Sequence, residues 1–168
     1  MGLKETYSLA DNHISDYGFS GVEHLILNKH EGALDTGKMM AHLIKMATKL
    51  DITILNGLEV SEFIEVNAGV EVKLKNDFAI KCRKLHIATN GFASSLLPNL
   101  DVKPARAQVL ITSPIESLKV RGTFHMNEGF YYFRNVGNRV LFGGGRQLDI
   151  AGETDTDLIT TERIQIEL

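Results

Sequence analysis

The densest grouping of side chains able to hold a ligand is Phe130-Tyr131-Tyr132-Phe133-Arg134. On a strand, Tyr131 and Phe133 point to one face, and Phe130, Tyr132 and Arg134 to the other. One face is then core, while the other offers a phenol and a guanidinium together, a pair suited to holding a carboxylate in an otherwise apolar pocket. A packed strand with Arg134 reaching solvent along its apolar stem is the plainer reading, and both stand open. A second grouping is Ile87-Ala88-Thr89-Asn90-Gly91-Phe92. A strand entering a glycine-containing turn before a helix over 92–97 exposes N–H groups at its carboxyl end, where open α/β sheets bind ligands. An ordinary Asn-Gly turn explains the same residues equally well. Gly143-Gly144-Gly145 before Arg146 interrupts any regular strand and implies a bulge or a close approach of backbone to something else.

Other chemistries lack their residues. The six histidines (13, 24, 30, 42, 86 and 125) are scattered without metal-ligand spacing, so no metal site is expected. No Gly-x-Ser-x-Gly elbow is present, and Cys82 lies in a lysine-flanked strand, so no nucleophile is assigned and no catalytic residue is named. The glycine run continues as Arg146-Gln147-Leu148, so it matches neither a dinucleotide Gly-x-Gly-x-x-Gly motif nor a Gly-Lys-Ser/Thr phosphate loop.

Composition narrows the class further. With 168 residues and 43% hydrophobic content, the chain can bury roughly two-thirds of its unfolded surface and needs no disulfide to fold. Its one cysteine cannot form an internal disulfide, which favours a cytoplasmic setting. A net charge of −3 with no basic patch argues against nucleic acid. No apolar run approaches the roughly 18 residues of a membrane span, and the start lacks a signal peptide's apolar core. Met1-Gly2-Leu3-Lys4-Glu5-Thr6 fits the loose N-myristoylation pattern, which chance matches readily.

These residues need elements to position them. Residues 1–21 read as a short helix or irregular lead-in. Leu25-Ile26-Leu27 begins a strand, and Asp35 can cap a helix running to about Leu50, with Met39, Met40, Leu43, Ile44, Ala47 and Leu50 on one stripe. Ile52 to Leu55 and Lys84 to Ala88 read as strands, separated by a meander over 59–82 that turns at Asn67-Ala68-Gly69 and Lys75-Asn76-Asp77. Further strands are expected over 107–112, 119–124, 129–135 and 139–142, the last two joined by a turn at Val136-Gly137-Asn138. The acidic stretch from Asp149, with Asp155 and Asp157, predicts a helix start. The predicted class is α+β.

Six segments in order carry a resemblance: Glu31–Met40 (EGALDTGKMM), Gly57–Val60 (GLEV), Ile87–Phe92 (IATNGF), Lys103–Val109 (KPARAQV), Tyr131–Arg134 (YYFR) and Gly143–Arg146 (GGGR). Together they resemble the FAD-dependent oxidoreductases of the D-amino-acid oxidase, glycine oxidase and sarcosine oxidase superfamily, over roughly residues 22–168. The resemblance implies an FAD-binding α/β region over 35–102 with the meander inserted in it. It also implies a mainly antiparallel substrate sheet over 22–34 and 103–148, and a truncated helix starting in 149–168. It places FAD against Val60, Thr89, Asn90 and Gly91. It places the substrate, an amino acid or related amine, against Tyr131, with Tyr132, Arg134 and Arg106 as further contacts. The family's opening Gly-x-Gly-x-x-Gly and its closing glycine-rich segment are missing, so the chain reads as an interior piece of a longer enzyme, inactive alone. The competing reading is a non-catalytic binding or interaction domain on the same scaffold.

Overall fold

The computed structural model describes residues 3–168. Met1 and Gly2, which the acylation pattern requires, lie outside the described residues. In chain order the elements are β1 (Tyr7–Leu9), β2 (Ile26–Asn28), α1 (Thr36–Lys49), β3 (Val60–Val66), β4 (Gly69–Leu74), β5 (Ala79–Cys82), β6 (Val109–Ile111), β7 (Thr123–Met126), β8 (Tyr131–Val136), β9 (Arg139–Gly144) and α2 (Glu162–Glu167). Among the described residues every strand pairing is antiparallel, in three separate sheets, and the class is α+β. The chain divides into two compact units. One comprises the residues through Asp35 with Arg106–Glu153 and Leu158–Leu168, the other Thr36–Ala105 with Thr154–Asp157.

In the second unit, α1 begins directly after Asp35 and ends through backbone geometry. Asp51 takes φ 55, and the Asp51 and Ile52 N–H groups donate to the carbonyls of Thr48 and Ala47. This is a Schellman ending with aspartate where glycine is usual. No residue of α1 is buried, and its apolar stripe, Met39, Met40, Leu43 and Ile44, stays exposed. The meander β3-β4-β5 follows the expected alternation. Phe63, Val72 and Ile80 are aligned across its three strands, with Val72 and Leu74 buried. Glu62–Lys73 (2.6 Å), Glu59–Lys75 (2.6 Å) and Glu71–Lys81 (3.4 Å) pair on its wet side. Each such exposed pair contributes little.

Two expected strands in this unit do not form. Ile52 to Leu55 and Lys84 to Ala88 lie in irregular backbone. The β-branched run Ile52-Thr53-Ile54 suits a pleated surface, and Leu85 and Ile87 are apolar, but a strand exists only where a neighbour completes its ladder, and no described segment does so.

The first unit is built on the sheet β6-β9-β8-β7. The β8–β9 hairpin closes through Gly137-Asn138, with Val136 opposite Arg139. Phe133 faces Phe142 on one side and Phe124 on the other, so one face of the sheet is aromatic. Phe124 and Phe133 stack at 4.9 Å, and Tyr17 and Phe19 from the lead-in meet Phe124 edge-on at 5.1 and 5.0 Å. Such pairs add about 1 kcal/mol each beyond the area they bury.

The lead-in contains a strand rather than only helix or coil. β1 pairs with β2, Ser8 opposite Leu27, and the Asp11 carboxylate accepts the Leu25 N–H at 2.7 Å. Three residues carry too little periodicity to announce a strand, because the partner lies 19 positions away. The helix expected from Asp149 starts only at Glu162. Before it, the Asp149 and Asp155 carboxylates accept the N–H groups of Gly152 and Asp157, turns that compete with helical bonding.

At the end of β9 the glycine run makes the close approach its composition implied. Gly144 has φ +132, and a Cβ there would run into the Phe130 carbonyl oxygen. Gly144→Ala is therefore expected to cost about 3 kcal/mol, from left-handed strain plus a clash with backbone that cannot yield. Gly137→Ala, at φ +60 with nothing within 4 Å, should cost only about 1 kcal/mol. Urea midpoints of the two variants check the difference.

Candidate functional site

Strand alternation gives the first unit's sheet a second face. Opposite the aromatic face stand Tyr132 and Arg134 of β8, His125 and Thr123 of β7, Leu141 and Gly143 of β9, and Val109 and Ile111 of β6, aligned by register. Val109 and Ile111 are exposed, so this face is open in the unit. Gly143 makes room on it. A Cβ there would lie 2.7 Å from Val109 Cγ1 and 2.8 Å from the Tyr132 ring, so the ring occupies the space a side chain would take.

Tyr132 and His125 have ring centroids 6.3 Å apart. Arg134 donates from Nη1 to the Leu34 carbonyl at 2.7 Å, which orients the guanidinium while its remaining N–H groups have no partner among the described residues. Tyr131 lies on the aromatic side, stacked on Phe142 at 5.8 Å with rings 8° from parallel. The structure thus brings Tyr132 and Arg134 together on one face and puts Tyr131 on the other.

Arg106 is elsewhere in the same unit, with a side chain only 8% exposed. Its Nε donates to Glu153 Oε2 at 3.0 Å, and its Nη2 to Glu153 Oε1 at 3.2 Å and to the Gly152 carbonyl at 3.0 Å. Glu153, 1% exposed, also accepts from Gln108 Nε2 at 2.8 Å and Thr161 Oγ1 at 3.0 Å. The bonds from Arg106 lower the Glu153 carboxyl to about 2, outweighing burial, which opposes ionisation; Gln108 and Thr161 add to the lowering. Sequence reasoning singled out neither Glu153 nor Gln108. Their only signal is a lone acid and a lone amide 45 positions apart, and nothing local joins them.

The remaining candidates belong to the second unit. Val60 opens β3, an edge strand. It sits opposite Leu74, while Lys75 N–H donates to the Glu59 carbonyl, so Val60 is a non-hydrogen-bonded pair. Its own N–H and C=O therefore point away from β4, toward the open edge. Thr89, Asn90 and Gly91 start a six-residue 3-10 helix, Asn90–Ser95, rather than the expected helix over 92–97 after a strand. Asn90 takes φ 48, which asparagine tolerates, and Phe92 N–H closes on the Thr89 carbonyl at 3.0 Å. The side chains of Thr89 and Asn90 make no hydrogen bond to the described protein, so they and the Val60 backbone offer the uncommitted polar groups that a dinucleotide would need.

Among the described residues, no three His, Cys, Asp or Glu side chains converge to hold a metal, and no helix is long and apolar enough to cross a membrane. A family model described as FAD dependent oxidoreductase matches residues 5–166. No curated protein matches the chain.

The buried ion pair makes a measurable prediction. Glu153→Gln leaves the Arg106 guanidinium buried without its countercharge, so at neutral pH it should cost about 3 kcal/mol of stability. Because the folded carboxyl lies at about 2 against an ordinary 4.5, the wild-type advantage is complete above pH 4.5 and declines as pH falls toward 2. Chemical denaturation of both proteins across that range should show their difference shrinking with acid.

Proposed function

Because the chain belongs to the FAD-dependent oxidoreductase family, we propose that it serves an enzyme oxidising an amino acid or related amine, with the open face of the β6-β9-β8-β7 sheet receiving the substrate. The observation that carries this reading is the shared face of Tyr132 and Arg134. FAD, when bound, supplies the acceptor for the hydride leaving a carbon next to nitrogen. The Tyr132 phenol donates a hydrogen bond to the substrate carboxylate, and the free N–H groups of Arg134 supply its countercharge. Gly143 lets the Tyr132 ring lie close to the sheet, and Val109 borders it, so the phenol is presented from a confined position.

On this reading the cofactor meets the second unit through the Val60 backbone and the Thr89-Asn90-Gly91 turn. The edge-facing N–H and C=O of Val60 suit a purine's donors and acceptors, and the unengaged Thr89 and Asn90 side chains suit the polar middle of a dinucleotide. Tyr131, within the aromatic stack, supports β8 from behind, and Arg106 serves the fold through Glu153.

Protein carrying this chain should take up FAD, seen as visible flavin absorbance, and anaerobic addition of the right amino acid or amine should bleach it. Tyr132→Phe should weaken binding of that substrate or of a simple carboxylate inhibitor about tenfold, the loss of one hydrogen bond to a charged group. Tyr131→Phe should leave it within about twofold, since that hydroxyl belongs to the other face. A full-length protein carrying this chain that takes up no FAD would favour the non-catalytic binding domain. Equal affinities in Tyr132→Phe and wild type would remove Tyr132 from the site.

A further inference from the structure

Gln108 is placed where two systems meet. It immediately precedes β6, whose Val109 stands opposite Gly143 of β9, and its carbonyl accepts the Gly144 N–H at 3.4 Å. Its side chain is fully engaged. Nε2 donates to Glu153 Oε1 at 2.8 Å and to Thr161 Oγ1 at 2.7 Å, while Oε1 accepts from the Thr161 N–H at 3.0 Å and from Gln165 Nε2 at 3.1 Å. An amide can make this set in one orientation only. Glu153 is an acceptor at both oxygens, so the Gln108 NH2 must turn toward it, and the carbonyl end is then left for Thr161 and Gln165. Reversing the amide would set oxygen against oxygen and N–H against N–H.

The same C-terminal stretch also touches the glycine run. Ile164 is 1% exposed, and its Cγ2 is 3.7 Å from where a Cβ on Gly145 would be. The segment from Thr161 to Gln165 is therefore held by an amide, a carboxylate and an apolar plug at one end of the β6–β9 pair, where Gln108 enters β6 and Gly145 leaves β9. That junction sets the open face, because Val109 and Tyr132 fill the gap over Gly143 from either side.

We propose that Glu153 is a positioning residue for the open face: by fixing Gln108 and the Thr161–Gln165 segment it holds β6 against β9 and keeps the Tyr132 ring seated over Gly143. The segment then acts as a latch, and release at Glu153 frees a ring on the opposite strand pair. The consequence for substrate rests on the functional reading above, whereas the latch itself does not.

Amide-resolved hydrogen exchange on the full chain, with near-ultraviolet circular dichroism, tests this. The chain has no tryptophan, so the dichroism reports its four tyrosines and its phenylalanines. In Thr161→Val, which loosens the latch without uncovering the Arg106 charge, exchange should rise about tenfold together at Gln165, Gly144 and Gly145, and stay unchanged in β3–β5. The tyrosine dichroism should fall in Thr161→Val, and the fall should vanish when Tyr132→Phe is combined with it. Glu153→Gln should give the same pattern more strongly. Faster exchange at Gln165 alone, with Gly144 and the tyrosine signal unmoved, would overturn the proposal. A full-length protein carrying this chain that takes up no FAD yet shows the coupled exchange would overturn the functional reading and leave the latch standing.

Discussion

The first unit closes on one carboxylate. Glu153 is 47 positions from Arg106 and eight from Thr161, and its two oxygens collect four donor contacts in a place water does not reach. An ionised group so deeply buried is tolerable only when it is hydrogen-bonded and a countercharge is in contact, and both conditions are met. No described buried polar side-chain atom lacks a partner. The Arg106 N–H on the Glu153 carbonyl, at 2.8 Å, adds a backbone bond to the same junction. The stretches around Arg106, Glu153 and Thr161 thus meet at one carboxylate.

The sheet between these stretches divides its labour by face. Phenylalanine rings and Tyr131 fill one side, and the lead-in closes over them through Tyr17 and Phe19. That leaves the other side to a phenol, a guanidinium and an imidazole above a glycine. The β8 backbone accomplishes both, since neighbouring residues on a strand cannot share a side. In the second unit the meander uses the same rule for a different end, an apolar side and a side of paired charges.

What could be read from the sequence was what neighbouring residues decide. The α1 stripe shows in the spacing of Met39, Met40, Leu43 and Ile44, and the meander in the alternation from Val70 to Leu74. The sharing of one face by Tyr132 and Arg134 follows from their spacing of two. Ile52–Leu55 and Lys84–Ala88 misled because composition records what a strand would tolerate, whereas pairing depends on a neighbour. β1 was hidden for the converse reason: Tyr7–Leu9 looks like nothing until Ile26–Asn28 lies beside it. Glu153 was illegible in the strongest sense, because an acid in an acidic tail is the usual mark of a solvated surface, and only the closed chain takes it inside. The family resemblance reached further than local physics, since the order of six weak motifs survives where no single one is decisive.

The gap over Gly143 has an implication for how such a surface changes over evolutionary time. Its contents are divided among three strands: nothing at 143, an aliphatic branch at 109 and a ring at 132. Volume lost at one position can be returned at another without bending the main chain, because all three sit in register on the same face. A smaller residue at 132 makes room for one at 143, and a shorter one at 109 lets the ring slide. The scaffold can therefore drift among differently shaped surfaces by exchanging side-chain volume within this triplet, while the aromatic side continues to hold the sheet together.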